Sequence, residues 1–391
     1  MYHESNRFKI VQMEIKENVD SSFYINNPNN KIEKNLTSTI LKKSKALAFH
    51  TSLPIYEATP LVHLPFLSKK YKVGNIYLKD ESFRFGLNAF KGLGASYAIN
   101  EILKERPHIT TFCTATDGNH GRAVAWSAKF FNKESVVFVP KDTSNQRIEA
   151  IEKEGAKVEQ VNGNYDETCD HAEKMSIKNG WELVQDTAWE NYEEIPAQIM
   201  VGYLTLFHEM EDSLSSVYNP KIDIVFLQAG VGSFAGAGIF YYLDKYAANR
   251  PKIVIVEPKE ADAILSSFIK GEITTSKGNS TTIMAGLNCG TPSLGAWDLL
   301  KNGTDVCMKI DDKYSKQAIR ELYFPNGSDK KIISGESGVG GLAGFIAIMK
   351  KDEFSPLKKV LNINENTNIL FISTEGATDL DMFNHITQFK I

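Results

Sequence analysis

The sequence predicts an α/β protein of two domains, a fold with parallel-rich twisted sheets and helices on both faces. Two observations predict it. Apolar β-rich runs alternate with helical patterns along most of the chain, the order that yields parallel strands joined by crossover helices. At 391 residues the chain is long enough for two domains and a large core.

The elements follow in chain order. Residues 1–50 are polar and Asn-rich (NNPNNKIEKN), and predict an arm that wraps the body or another subunit, ending in a short helix near Leu41–Phe49. IYLKDES (76–82) reads as a short strand ending in charges. The stretch SFRFGLNAFKGLGASYA (82–98) follows it and opens a helix, GASYAINEILKE. TTFCTA is an apolar strand, then a polar turn, then the helix RAVAWSAKFF. SVVFVP (135–140) is a buried strand. SNQRIEAIEKEGA (144–156) is a helix with Ser144 as its cap, Ile148 and Ile151 as apolar positions, and Gly155 as its stop. KVEQV, YDETCDHAEKMSIKNG and WELVQD read as strand, helix and strand. IDIVFLQ (222–228) and KIVIVEP (252–258) flank an Ala/Gly-rich helix, and TNILFIST (367–374) is the last strand. No Pro/Gly linker cuts the chain, so the second domain is expected as an insertion. The small domain is assigned residues 92–185, and the large one 1–91 and 186–391.

Composition narrows the function classes. Lys+Arg 44 against Asp+Glu 48 leaves a net charge of −4 with no long block of either sign. Neither nucleic acid nor a membrane surface is favoured as a partner. The four cysteines, Cys113, Cys169, Cys289 and Cys307, form no C-x-x-C pair, so neither a metal site nor a disulfide framework is expected. No apolar run has signal-peptide or bilayer-spanning character, and the reducing cytosol is the expected compartment.

Lys91 stands between an asparagine-containing turn and the small residues Gly92, Gly94, Ala95 and Ser96. It reads either as a solvated lysine at a helix start or as a desolvated one whose neutral amine acts as nucleophile or base. Five further stretches carry chemistry. AGVGSFAGAG (229–238) follows a strand and leads into a helix, where converging backbone N–H groups and the helix dipole suit a phosphate. Gly230-x-Gly232-x-x-Ala235 also fits a dinucleotide fingerprint, with Glu257 where a ribose-binding acid would stand, so a nicotinamide-dependent oxidoreductase is a rival reading. The turn Asp117-Gly118-Asn119-His120-Gly121 ends one strand and VQDTAW, with Asp186, ends another. SGESGVGG (334–341) is Gly-rich before a helix. ISTEG (372–376) ends the final strand in the hydroxyls of Ser373 and Thr374.

Together these pieces resemble the fold-type II enzymes that use pyridoxal 5′-phosphate (PLP), the tryptophan synthase β-like family, and within them the diaminopropionate ammonia-lyases. The resemblance runs from about Phe49 to the end. It rests on YEATPLVHL, YLKDESFRFGLNAFKGLGA, TATDGNHGRAVAW, NYDET, VQDTAWENY, IPAQIMVGY, LQAGVGSFAGA, IVEP, IMAGLNCG, IISGESG and ISTEG in order. It implies that PLP attaches to Lys91 and lies in the cleft between the domains. Gly230, Val231, Gly232, Ser233, Phe234 and Ala235 then hold the phosphate, Asn119 donates to the phenolic oxygen, and Ser373, or less readily Thr374, faces the pyridine nitrogen.

The resemblance also implies α,β-elimination of 2,3-diaminopropionate to pyruvate and two ammonia by a homodimer. Asp117 takes the Cα proton of the D isomer and Asp186 that of the L isomer. Serine and threonine dehydratases of the same fold usually carry a small uncharged residue where Asp117 stands, and Ser-Phe-Lys where this chain has Asn-Ala-Phe-Lys (88–91). A pocket carboxylate favours a substrate with an extra ammonium, which argues against the dehydratase alternative.

Overall fold

The computed structural model describes residues 21–116, 118–217 and 220–388. Two sheets organise them. The larger has seven strands in the order β1-β10-β9-β8-β11-β3-β2. These are β1 (Phe23–Ile25), β2 (Leu61–His63), β3 (Asn75–Asp80), β8 (Ile224–Gln228), β9 (Lys252–Pro258), β10 (Val306–Ile310) and β11 (Asn368–Ser373). The five central strands run parallel, and β1 and β2 close the two edges antiparallel. The smaller sheet, order β6-β5-β4-β7, is parallel throughout. It consists of β4 (Thr111–Ala115), β5 (Glu134–Pro140), β6 (Lys157–Val161) and β7 (Glu182–Leu183).

Successive residues of a strand face opposite sides of its sheet. In β8 and β9, Ile224, Phe226, Val254 and Val256 join one apolar core, while Val225, Leu227, Ile253 and Ile255 join another. The first core is covered by the helix Gly340–Lys350 through Leu342, Phe345 and Ile346. The second is covered by the helices Glu194–Val217 and Ser233–Tyr246. Strands buried on both faces have no polar side to show, which is why these runs are apolar without alternation.

The helix that begins at Lys91, Lys91–Glu105, crosses the helix Glu194–Val217 at two glycines. A Cβ on Gly202 would stand 2.3 Å from the backbone oxygen of Leu93, and one on Gly94 would stand 2.5 Å from the Tyr203 ring. Only glycine permits that approach, and it fixes the helix carrying Lys91 against the helix Glu194–Val217.

Three local expectations differ in detail. The helix expected near Leu41–Phe49 is two short ones, Leu36–Leu41 and Ala46–Thr51. The connecting Lys42-Lys43-Ser44-Lys45 offers no apolar side chain to bury, and the Ser44 hydroxyl takes the N–H of Ala46. WELVQD pairs as a strand only at Glu182–Leu183, because the Tyr192 hydroxyl takes over the next backbone groups, the Leu183 carbonyl and the Gln185 N–H. Ser144 does precede the helix Asn145–Lys153, but its hydroxyl makes no capping bond.

Residues 1–20 of the expected arm lie outside the described residues. The part that follows is fastened to this chain's own body: β1 pairs with β10, and the Asn26 amide donates to the carbonyls of Lys301 and Thr304. Among the described residues no helix is long and apolar enough to cross a membrane.

Candidate active site

A cleft of about 820 Å³, part of it open to solvent, lies at the carboxyl ends of strands from both sheets. Ligands of open parallel sheets bind there. Lys91, Asn119, Asp186, the stretch Gly230–Phe234 and Thr374 all line it, from segments scattered over the whole chain. Ala235 stands one position deeper, buried in the helix. Asp117 lies outside the described residues.

Lys91 is positioned by its neighbours. The Phe90 N–H donates to the Thr374 carbonyl at 3.1 Å, and Ala89 bridges to Glu375. The ammonium of Lys91 contacts the carboxylate of Asp186 directly. Burial alone would lower the lysine pKa, but that carboxylate outweighs it and the net direction is upward. Lys91 is thus desolvated, as the second sequence reading expected, and paired with Asp186, which favours its charged form. For Asp186 itself, burial pulls upward, while His120 and Lys91 pull further down and hold it at about 2. His120 donates from Nε2 to the Val184 carbonyl at 2.8 Å, and its Nδ1 stands 3.8 Å from Asp186 Oδ2. Burial lowers the His120 pKa.

The glycine-rich turn after β8 is the second feature of the cleft. Gly232 has φ +94°, and a Cβ on Gly230 would stand 2.9 Å from Cys289 Sγ. Its backbone can thus approach a ligand closely, at the start of the 14-residue helix Ser233–Tyr246. The first N–H groups of that helix point out of its end and favour an anion. The Ser233 hydroxyl donates to the Asp186 backbone carbonyl at 2.7 Å, which ties the anion cradle to the acid beside Lys91.

The two hydroxyls at the end of β11 have different surroundings. Thr374 lines the cleft and accepts from Gln228 Nε2 at 2.9 Å. Ser373 is turned away, its hydroxyl bonded to Ser334 Oγ at 2.7 Å. Sequence reasoning preferred Ser373; the side chain that reaches the cleft is Thr374.

It assigned no role to Glu375 in ISTEG or to His120 in the polar turn. Glu375 is buried, accepts from the Asn119 amide, and receives the Ser337 N–H at 3.1 Å. Burial raises its pKa. The signal was an acid among strand-end hydroxyls.

Glu257, the acid on which the oxidoreductase reading leaned, is used elsewhere. Its two oxygens accept the N–H groups of Ile264 and Leu265, each at 2.8 Å, at the start of the helix Ala263–Lys270. It is fully buried and pushed up to about 8. It caps a helix instead of facing the cleft. Among the described residues no group of three His, Cys, Asp or Glu side chains is placed to hold a metal ion.

The residues fit PLP on three counts: a lysine in the cleft, a Gly-rich cradle at a helix N-terminus that a Cβ at Gly230 would obstruct, and amide and hydroxyl donors between them. Comparison with known proteins agrees. Residues 53–365 match the family model described as pyridoxal-phosphate dependent enzyme. A diaminopropionate ammonia-lyase from Salmonella typhimurium is 40% identical over 366 residues, covering 88% of this chain and 91% of that protein. The Escherichia coli diaminopropionate ammonia-lyase, solved with an aminoacrylate–PLP azomethine reaction intermediate, superposes with a TM-score of 0.86 at 37% identity. That match covers 93% of this chain and 96% of the other. A threonine deaminase isoform from Solanum lycopersicum, 21% identical, shares the fold with a TM-score of 0.76, over 95% of this chain and 93% of its own.

Proposed function

The chain belongs to the pyridoxal-phosphate-dependent enzymes and, within them, to the diaminopropionate ammonia-lyases, and on that footing we propose that it eliminates both D- and L-2,3-diaminopropionate to pyruvate and two ammonia. The observation that carries this reading is the contact between Lys91 and Asp186 in a cleft that also holds the glycine cradle.

When bound, PLP supplies the electron sink for the pair left at the substrate Cα. The chain's residues do the rest. Lys91 is the attachment point, and the first N–H groups of the helix after Gly232 hold the phosphate. Asn119 has a second amide hydrogen beyond the one given to Glu375, free for the cofactor's phenolic oxygen. Of the two hydroxyls considered for the pyridine nitrogen, Thr374 is the better candidate, since its side chain lines the cleft.

Asp186 is ionised and adjacent to the lysine nitrogen, so it is suited to take the Cα proton of the L isomer. Asp117 is assigned the D isomer from the sequence alone. Bases on opposite faces of one planar system account for use of both isomers. We read the enzyme as a cytoplasmic homodimer whose small domain spans residues 92–185.

The test is release of pyruvate and ammonia by PLP-loaded protein from D- and L-2,3-diaminopropionate, run beside D- and L-serine and L-threonine. Turnover of both diaminopropionate isomers with two ammonia per pyruvate is expected. Turnover of the hydroxy amino acids alone would keep Lys91 and remove the ammonia-lyase reading.

A further inference from the structure

We propose that Glu375 is a catalytic residue that shares and secures the proton of the departing β-amine, an inference that rests on the ammonia-lyase reading above. Among the described residues, Asp186 and Glu375 are the two carboxylates lining the cleft. Asp186 is engaged by Lys91 and held ionised, so it has no proton to lend. Glu375 has a different environment. Its oxygens are met by neutral donors, the Asn119 amide and the Ser337 N–H.

The charged groups around Glu375 come from several segments. Arg147 attracts its negative charge, and that charge, with Asp379, raises the neighbouring Glu336 carboxyl. Lys91, His120 and Asp186 share the same cleft. Burial favours the protonated carboxyl, whereas the Asn119 and Ser337 donors, Arg147 and a β-ammonium placed beside it favour the carboxylate. With the β-nitrogen of a bound substrate against Glu375, either state would leave one proton between the two.

That proton decides the leaving group. The base removes H⁺ from Cα, and the Cα electron pair becomes the Cα–Cβ double bond. The Cβ–N bonding pair then departs on nitrogen. The product is neutral NH₃ only if nitrogen already carries, or receives from Glu375, its third hydrogen. An amine next to an electron-withdrawing α-substituent gives up that hydrogen easily in water, so a carboxyl at its side keeps it available.

The experiment compares diaminopropionate with β-chloro-L-alanine, whose chloride leaves without a proton. In PLP-loaded Glu375→Gln, which keeps an oxygen for the Ser337 N–H, any loss of chloride elimination is expected to be at least about 10-fold smaller than the loss on diaminopropionate. Turnover of diaminopropionate is expected to fall about 100-fold or more, the usual scale for a removed general acid, and Glu375→Asp restores part of it. In wild type, kcat on diaminopropionate falls at high pH while kcat on β-chloroalanine does not, a comparison that requires no variant to fold. Equal losses on both substrates in Glu375→Gln, or coincident basic limbs in wild type, overturn this inference alone. A wild-type enzyme that eliminates chloride but ignores diaminopropionate overturns the ammonia-lyase reading and this inference with it.

Discussion

Lys91 Nζ and the Asp186 carboxylate are in direct contact although 95 residues of chain separate them. The intervening segment forms the smaller sheet, and the contact joins the helix that precedes that sheet to the segment that follows its last strand, β7. Removing the lysine removes both the proposed attachment point and one of the two groups, with His120, that depress Asp186. Lys91→Ala is therefore expected to lose the visible absorbance of lysine-bound PLP and all elimination activity. Absorbance spectra before and after gel filtration check it; covalent PLP retained by the variant would reassign the attachment.

Asp186→Asn separates the two proposed bases. The amide still accepts a hydrogen bond from Lys91 but cannot take a proton. Turnover of the L isomer is expected to fall by about 10²–10⁴-fold with the D isomer less affected, and Asp117→Asn should give the reverse. Steady-state kinetics on the separated isomers decide it. Equal loss on both isomers in either variant would make that aspartate a binding group.

The sequence made the sheets and the glycine-rich joint after β8 legible because each rests on local pattern. Apolar runs such as IDIVFLQ and KIVIVEP are strands buried on both faces, and Gly230 to Ala235 is a strand–turn–helix joint. Two things were not legible. The Lys91 ion pair depends on a carboxylate brought in by folding, and no window around Lys91 contains it. The choice between Ser373 and Thr374 depends on which way one strand end turns, and adjacent positions in a strand always face opposite sides. Glu257 misled for a related reason: its spacing suited a ribose acid, but its oxygens are taken by the helix start beneath it.

Gly202→Ala tests the helix crossing that positions Lys91. The added methyl would lie 2.3 Å from the Leu93 carbonyl oxygen, a backbone atom that cannot rotate away. Separation of the two helices is expected to cost about 1–3 kcal/mol, the usual range for overpacking. It should also weaken PLP binding, since Leu93 lies in the turn of helix that carries Lys91. Urea unfolding and PLP titration check the two effects; an unchanged midpoint would mean the helices part without cost.

The stability of the region before Lys91 should depend on acid through Glu209. Its carboxylate meets Lys79 Nζ at 2.6 Å and Arg84 Nη2 at 2.7 Å, and Arg84 also holds Glu81 at 2.8 Å, with these side chains almost completely buried. Burial pulls the Glu209 pKa upward, but the hydrogen bonds and charge of Arg84, aided by Lys79, bring it down to about 2. The folded-state value thus lies below the ordinary glutamate range. The stabilisation is fully present above the unfolded-state pKa and is lost as pH falls from there toward about 2. In Glu209→Gln the two cations keep hydrogen-bond acceptors but lose the charge. The variant should be destabilised at neutral pH by about 3–5 kcal/mol, as for one partner removed from a buried pair, and should lose less stability than wild type on acidification from pH 5 to pH 3. Unfolding midpoints of both proteins across that interval check it. Parallel curves would place the acid sensitivity outside this cluster.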